Sequence, residues 1–235
     1  MKSRITVATL LLLVASKGAF AQDAVLPSVR ESIRDSFPAS YAGIVDKYDA
    51  SDVPELREIL NSEDDEHLWP RVAGVLGVVG GEEEVDLLIE LIEQPVVEPV
   101  YISRDQHFLR MEAIRSLGFL SHRTGGERAL DYLIASLDDG IWRQRNILGV
   151  IDYLNTYDRY DRRLTIYAIF GLALSGQPRA GAALRSLRES PTQAQALLEL
   201  DDVLDTYLPI HDLLAERGLA GFYEFQEEQR RLEAE

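Results

Sequence analysis

A chain of 235 residues with 40 acidic against 24 basic side chains carries a formal net charge of −16 and contains no cysteine. So acidic a molecule is repelled by nucleic acid and by anionic lipid, which excludes both as partners. Without thiols it has no disulfide staple and no cysteine chemistry, so its stability rests on packing alone.

The first 21 residues read as an export signal rather than as part of the fold. Lys2 and Arg4 precede an uncharged apolar run from Ile5 to Ala15, and Ala19-Phe20-Ala21 has the small-x-small pattern at which such leaders are cut. The run falls short of the roughly 20 residues that a bilayer requires. Cleavage near Ala21 would leave 214 residues, enough for one continuous core. It would also remove Lys2, Arg4 and Lys17, giving a net charge of −19 with Lys47 as the sole remaining lysine. The expected location is the periplasm or the exterior, with no membrane anchoring after cleavage.

Residues 22–51 form an entry segment. Val25, Val29 and Ile33, spaced four apart, predict a short helix that Phe37-Pro38 ends, and a second runs from Ser40 towards Tyr48. The repeat region begins at Asp52, three residues before Glu55, the spacing of a reciprocal helix cap. Pro54 fits that first turn, Val53, Leu56 and Leu60 face one way, and Asn61 to Asp65 is a polar turn.

The clearest unit is Trp69 to Glu93, two helices joined by Gly80-Gly81. Leu68, Val72, Val75, Leu76 and Val79 make one stripe of the first helix; Val85, Leu88, Ile89 and Ile92 make that of the second. Gly74 and Gly77 each cost about 1 kcal/mol of helix propensity relative to alanine, which calls for the close approach of a neighbouring backbone. The second-helix signature returns at Leu130, Leu133, Ile134 and Leu137, and again at Ala180, Ala183, Leu184 and Leu187. Glycine-bearing turns precede both, Thr124-Gly125-Gly126 and Ser175-Gly176-Gln177-Pro178. Each turn follows a helix with an apolar-Gly pair, Leu117-Gly118 and Phe170-Gly171, matching Leu76-Gly77. Leu109, Ala113, Leu117 and Leu120 form the stripe of the middle first helix, and Leu164 to Leu174 is apolar almost all round, as for a helix buried between neighbours.

Equivalent positions Val53, Val85, Leu130 and Ala180 lie 32, 45 and 50 residues apart, a basic period stretched by two insertions. The first, Gln94 to Ile102, carries Pro95 and Pro99 and should be extended; Ser103 to Gln106 then restarts a helix with a reciprocal cap. The second, Asp138 to Arg162, holds one further helix with Ile147, Val150, Ile151 and Leu154, then an exposed loop from Asn155 to Arg162. Residues 190–235 are read as capping helices: Ser190 to Gln193 opens a helix that Pro209 breaks, and Leu219, Phe222, Tyr223 and Phe225 precede a charged end from Glu227 to Glu235.

These helix pairs, with apolar-Gly near the end of the first helix and a leucine face on the second, resemble HEAT repeats. The resemblance is to the short HEAT-like repeat of bilin lyases and many bacterial proteins, and it covers residues 52–189. It implies an all-α fold, an α-solenoid of stacked antiparallel helix pairs with three to five repeats and two insertions. The usual Asp-x-x-Val-Arg start of such repeats has only partial echoes here, Arg71-Val72 and Arg110-Met111.

No constellation for catalysis, cofactor or metal emerges. His67, His107, His122 and His211 lack zinc spacing, and no histidine precedes a glutamate, so the di-iron activity of one HEAT-repeat enzyme family is unsupported. Gly80-Gly81 is followed by acids, not by a phosphate loop, and Glu82-Glu83-Glu84 suits a helix N-terminus. The expected function is therefore a non-catalytic protein-protein interaction or scaffold module binding a protein or peptide. Alternatives are a lyase-like or cofactor-dependent enzyme on the same scaffold, or a structural accessory subunit of an envelope complex. Candidate contacts are of two kinds. The second helices change from acidic (Glu83, Glu90) to basic (Arg185, Arg188), which is either a field that orients a partner or a set of solvated faces. Tyr157, Arg159 and Tyr160, with Trp142 and Arg143 beside them, have the composition of an interface hot spot, or form a loop folded back on its own scaffold with Trp142 as core.

Overall fold

The computed structural model describes residues 28–38, 40–94, 103–138, 140–147, 157–192 and 200–233; for residues 157–159 it describes the backbone alone. The leader, nearly all of the first insertion and residues 148–156 of the second lie outside these ranges, as do residues 193–199. Every regular element among the described residues is helical. In chain order these are α1 (Val29–Asp35), α2 (Tyr41–Lys47), α3 (Val53–Leu60), α4 (Trp69–Val79), α5 (Glu83–Glu93), α6 (Arg104–Thr124), α7 (Glu127–Ala135), α8 (Ile141–Gln144), α9 (Tyr157–Ser175), α10 (Pro178–Glu189) and α11 (Asp201–Glu233), with 3-10 turns at Ala50–Asp52 and Glu63–Leu68. None is long and apolar enough to cross a membrane.

Side by side, α4, α6, α9 and α11 pack in that order. In the junctions sit the shorter helices: α5 against α4 and α6, α7 against α6 and α9, α10 against α9 and α11. The glycines make the close spacing possible. A Cβ on Gly77 of α4 would collide with Ser116 of α6, and one on Gly118 of α6 would collide with the backbone of Gly171 on α9. The same apolar-Gly pair thus joins three successive helices, backbone to backbone. This close approach has a consequence for α4. Its residues Val72 to Val79 are all buried, not a stripe alone.

The start signals sit where local chemistry puts them, with one shift. Ser28, Ser40 and Ser103 cap α1, α2 and α6, accepting from Glu31, Gly43 and Gln106 amides at 3.1 to 3.2 Å. The expected Asp52–Glu55 cap lies one turn earlier, where Asp49 and Asp52 cap each other around the 3-10 turn. Glu55 instead accepts from the Arg30 amide at 3.1 Å. Gly125 and Gly176, at φ 68 and 57, supply the left-handed turns that reverse the chain after α6 and α9.

Two expectations are corrected near the C-terminus. Pro209 does not end its helix. It lies on the exposed side of α11, where the carbonyl it leaves free can be hydrated, and the helix continues to Gly218, whose φ of 65 and ψ of −168 break it. Beyond Gly218, α11 does not merely cap an open end. Its Phe222 is 2% exposed and meets Tyr41 of α2 and Phe119 of α6, with ring centroids 6.4 and 6.3 Å away. The last helix therefore returns to the second one.

Candidate functional site

The return of α11 to α2 walls off a cleft of about 500 Å³. Its lining comes from α2, α4, α6, α9 and the end of α11: Tyr41 and Ile44, Arg71, Phe108 with Met111, Glu112 and Arg115, Tyr167, then Phe225, Gln226, Gln229 and Arg230. A volume of this order suits a small ligand or a few residues of a peptide. Phe108 of α6 and Phe225 of α11 both line the cleft and are 40% and 39% exposed. Both lie outside the buried stripe of their helices, so their solvent contact follows from helical phase and not from a fault in packing.

Arg115 is the organising cation. It pairs with Glu112 one turn earlier, and its guanidinium lies 5.0 Å from the Tyr41 ring centroid and 5.6 Å from that of Phe170. Burial is the largest single influence and works against its charge, but the Glu112 carboxylate together with Tyr41 and Tyr167 outweighs it and raises the guanidinium above its ordinary value. Burial also pushes the Tyr41 phenol well above its ordinary value, against the pull of Arg115, so the phenol is neutral and can donate. Three buried polar atoms of the lining have no hydrogen-bond partner: Tyr41 Oη, Arg115 Nε and Gln226 Oε1. Each such orphan costs about 1–3 kcal/mol, and folded proteins keep few of them. In charge, the lining sets Arg71, Arg115 and Arg230 against Glu112, with Glu227 beside the lining paired to Arg230, an excess of one positive charge within a chain of net −16.

The candidates from the sequence fall elsewhere. Tyr157 to Arg162 is not an exposed loop but the first turns of α9. Tyr160 is 1% exposed and accepts from Arg110 Nη1 at 3.2 Å. Tyr160, read as part of a surface loop, is here on a helix face turned inwards. The side chains of Tyr157 and Arg159 are outside the described set. Trp142 is core, 2% exposed, with its indole donating to Thr165 at 3.1 Å, and Arg143 pairs with Asp161 at 3.4 Å. Glu83 and Glu90 do come together, around a shallow hollow with Arg57, Asn61 and Leu87. Arg185 and Arg188 share another with Asp205 and Asp212 of α11.

These charges do not make an open field. Arg57 of α3 reaches Glu83 and Glu84 of α5; Asp86 of α5 holds Arg128 of α7; Glu127 and Asp131 of α7 hold Arg179 of α10; Arg185 and Arg188 of α10 hold Asp212 and Asp205 of α11. Sign alternates from helix to helix because each helix neutralises the next. Glu84 is not a surface acid at all: it is 3% exposed, accepts from the Gly81 amide at 2.6 Å and pairs with Arg57.

The histidines are dispersed. His122 and His211 bond the carbonyls of Ser175 and Gln177 at 2.8 and 3.0 Å, and His67 is exposed. His107 is 0% exposed, beside Tyr160 with ring centroids 5.5 Å apart. Among the described residues no group of three or more ligand-type side chains is placed to hold a metal ion.

Sequence reasoning missed Phe108, Met111, Glu112 and Arg115 entirely. A signal for them exists: Phe108 is a large apolar residue off the Leu109–Ala113–Leu117–Leu120 stripe, and Arg115 is a cation within a helix otherwise buried along most of its length. No family model matches the chain, and no curated protein or solved structure does.

Proposed function

We propose that this is an exported, non-catalytic binding module on a HEAT-like α-solenoid, and that it takes a segment of a protein or peptide partner in the cleft between α2, α6 and the end of α11. The solenoid reading is supported by the serial packing of α4, α6, α9 and α11 and by the matched glycines Gly77, Gly118 and Gly171 at their contacts. Export is supported by the sequence of the first 21 residues. The observation that carries the binding reading is the composition of the cleft. Aromatic side chains of α6 and α11 are left in water in a cleft that also holds an arginine already fixed in place, and those are the residue types that dominate interface energetics.

Photo-cross-linking in the producing cells tests it. A photoreactive phenylalanine analogue at position 108 or 225 should give a discrete adduct, absent when the same analogue replaces Arg128 on the ion-paired side. Equal labelling from the two sides would refute the cleft as the contact surface.

A further inference from the structure

We infer that the cleft is built for an acidic peptide segment carrying one large apolar side chain, its backbone held by Tyr41, Arg115 and Gln226 and its apolar side chain set between Phe108 and Phe225. This rests on reading the cleft as the binding site.

The three orphaned atoms choose among ligand chemistries. Arg115 Nε and the neutral Tyr41 phenol are donors, and Gln226 Oε1 is an acceptor. A peptide unit is their complement, because its carbonyl accepts from the first two while its N–H donates to the third. A fatty acid or inorganic anion supplies acceptors alone and leaves Gln226 Oε1 unpaired. Charge narrows the choice further. Arg115 and Arg230 are paired with Glu112 and Glu227, which leaves one positive charge in excess, that of Arg71, held by carbonyls rather than by a carboxylate, so an acidic segment finds here a cation that the chain's own acids do not neutralise. Arg71 and Arg115 are already restrained, Arg71 by the Ile33 and Arg34 carbonyls at 2.8 and 3.1 Å and Arg115 by Glu112, so less rotamer freedom is lost on binding.

A random peptide library displayed on phage, selected on the purified protein, tests this. Selected peptides are then synthesised and measured by fluorescence anisotropy. The expected consensus is acidic residues around a phenylalanine, tryptophan or leucine. Affinity should fall about tenfold or more for Phe108→Ala with Phe225→Ala, for Arg115→Gln, and for peptides with glutamine and asparagine in place of the acids. The two phenylalanines are exposed, so that double variant keeps the fold even if Arg115→Gln does not, and circular dichroism checks both. Neutral or basic peptides that still depend on Phe108 and Phe225 would overturn the acidic class while leaving the cleft as a peptide site. An empty selection, or peptides indifferent to the double variant, would overturn both readings.

Discussion

Arg110 and Arg115 stand little more than a turn apart on α6, the first withdrawn from water and the second with a quarter of its side chain exposed, and they end in opposite ways. Arg110 is 4% exposed and spends its donors on the Tyr160 phenol at 3.2 Å, the Ile147 carbonyl at 3.4 Å and the Gln94 carbonyl. Its acceptors lie at the base of the first insertion, within the second and at the start of α9, so it ties together the places where the chain leaves the regular helix pairs. Arg115 meets Glu112, and its Nε meets nothing. A buried cation whose donors end on its own chain belongs to the scaffold. One that keeps a donor unmatched at the wall of a cleft is left for something that arrives. One side of α6 is therefore closed and the other open, and each variant below probes that contrast.

The largest effect should come from Gly118→Ala on the closed side. Alanine gains about 1 kcal/mol of helix propensity over glycine, but its Cβ would overlap the backbone of Gly171, which has no flexible end to move aside. Overpacking against side chains costs about 1–3 kcal/mol; against backbone we expect about 4 kcal/mol net, or failure to fold. A urea midpoint within error of the wild type would mean that α6 and α9 are not in backbone contact.

Next is the pH response of His107, at the same end of α6 as Arg110. Burial, with Arg163 and Arg110 nearby, lowers its pKa from 6.5 to about 4. In the unfolded chain it takes up a proton below about 6.5, which the native state refuses until about 4. Stability is thus complete above pH 6.5 and declines as pH falls to 4, by about 1.4 kcal/mol per pKa unit of separation, about 3 kcal/mol in all. Urea titrations at pH 7 and 4.5 should show a smaller acid loss for His107→Leu than for the wild type. Parallel losses would place the histidine in water.

A pair of identical chemical changes sharpens the contrast directly. Tyr160→Phe removes an acceptor from buried Arg110 and should cost about 2 kcal/mol, as for hydrogen bonds to charged groups. Tyr41→Phe removes a hydroxyl that has no partner, so stability should hold or rise by up to about 1 kcal/mol, while peptide affinity falls. Equal destabilisation by the two would erase the distinction between scaffold and site.

Most of the helices were legible in the sequence, because apolar positions at period 3.6 and glycine-bearing turns are local signals that survive without knowledge of neighbours. The stripes at Leu109–Leu120 and Val85–Ile92 are buried, with Ile89 half-buried. Two kinds of information were not local. Whether Tyr160 faces water depends on Arg110, fifty residues upstream, and a Tyr-x-x-Tyr pattern reads equally as surface or as core. The cleft depends on α11 crossing back to α2, which no periodicity within either helix encodes. Charge misled for a related reason: Arg185 and Arg188 look like a basic face until Asp205 and Asp212 of the next helix stand against them.

That last point sets the smallest expected effect. The row of ion pairs joining α5, α7, α10 and α11 is half exposed, with side-chain exposures of 41% to 64%. Such pairs contribute about 0–1 kcal/mol, since water screens them and long side chains lose freedom to form them. Arg128→Ala should therefore change stability by at most about 0.5 kcal/mol, and at 1 M salt, where the screening length is about 3 Å, by nothing measurable. The reason to make so mild a variant is what it separates. If the row only neutralises neighbouring helices, Arg128→Ala and Arg179→Ala leave capture of an acidic peptide in the cleft unchanged. If either weakens that capture more than it weakens the fold, the paired side belongs to the contact surface, and the contrast between the two sides of α6 would have to be drawn again with the charged row on the open side.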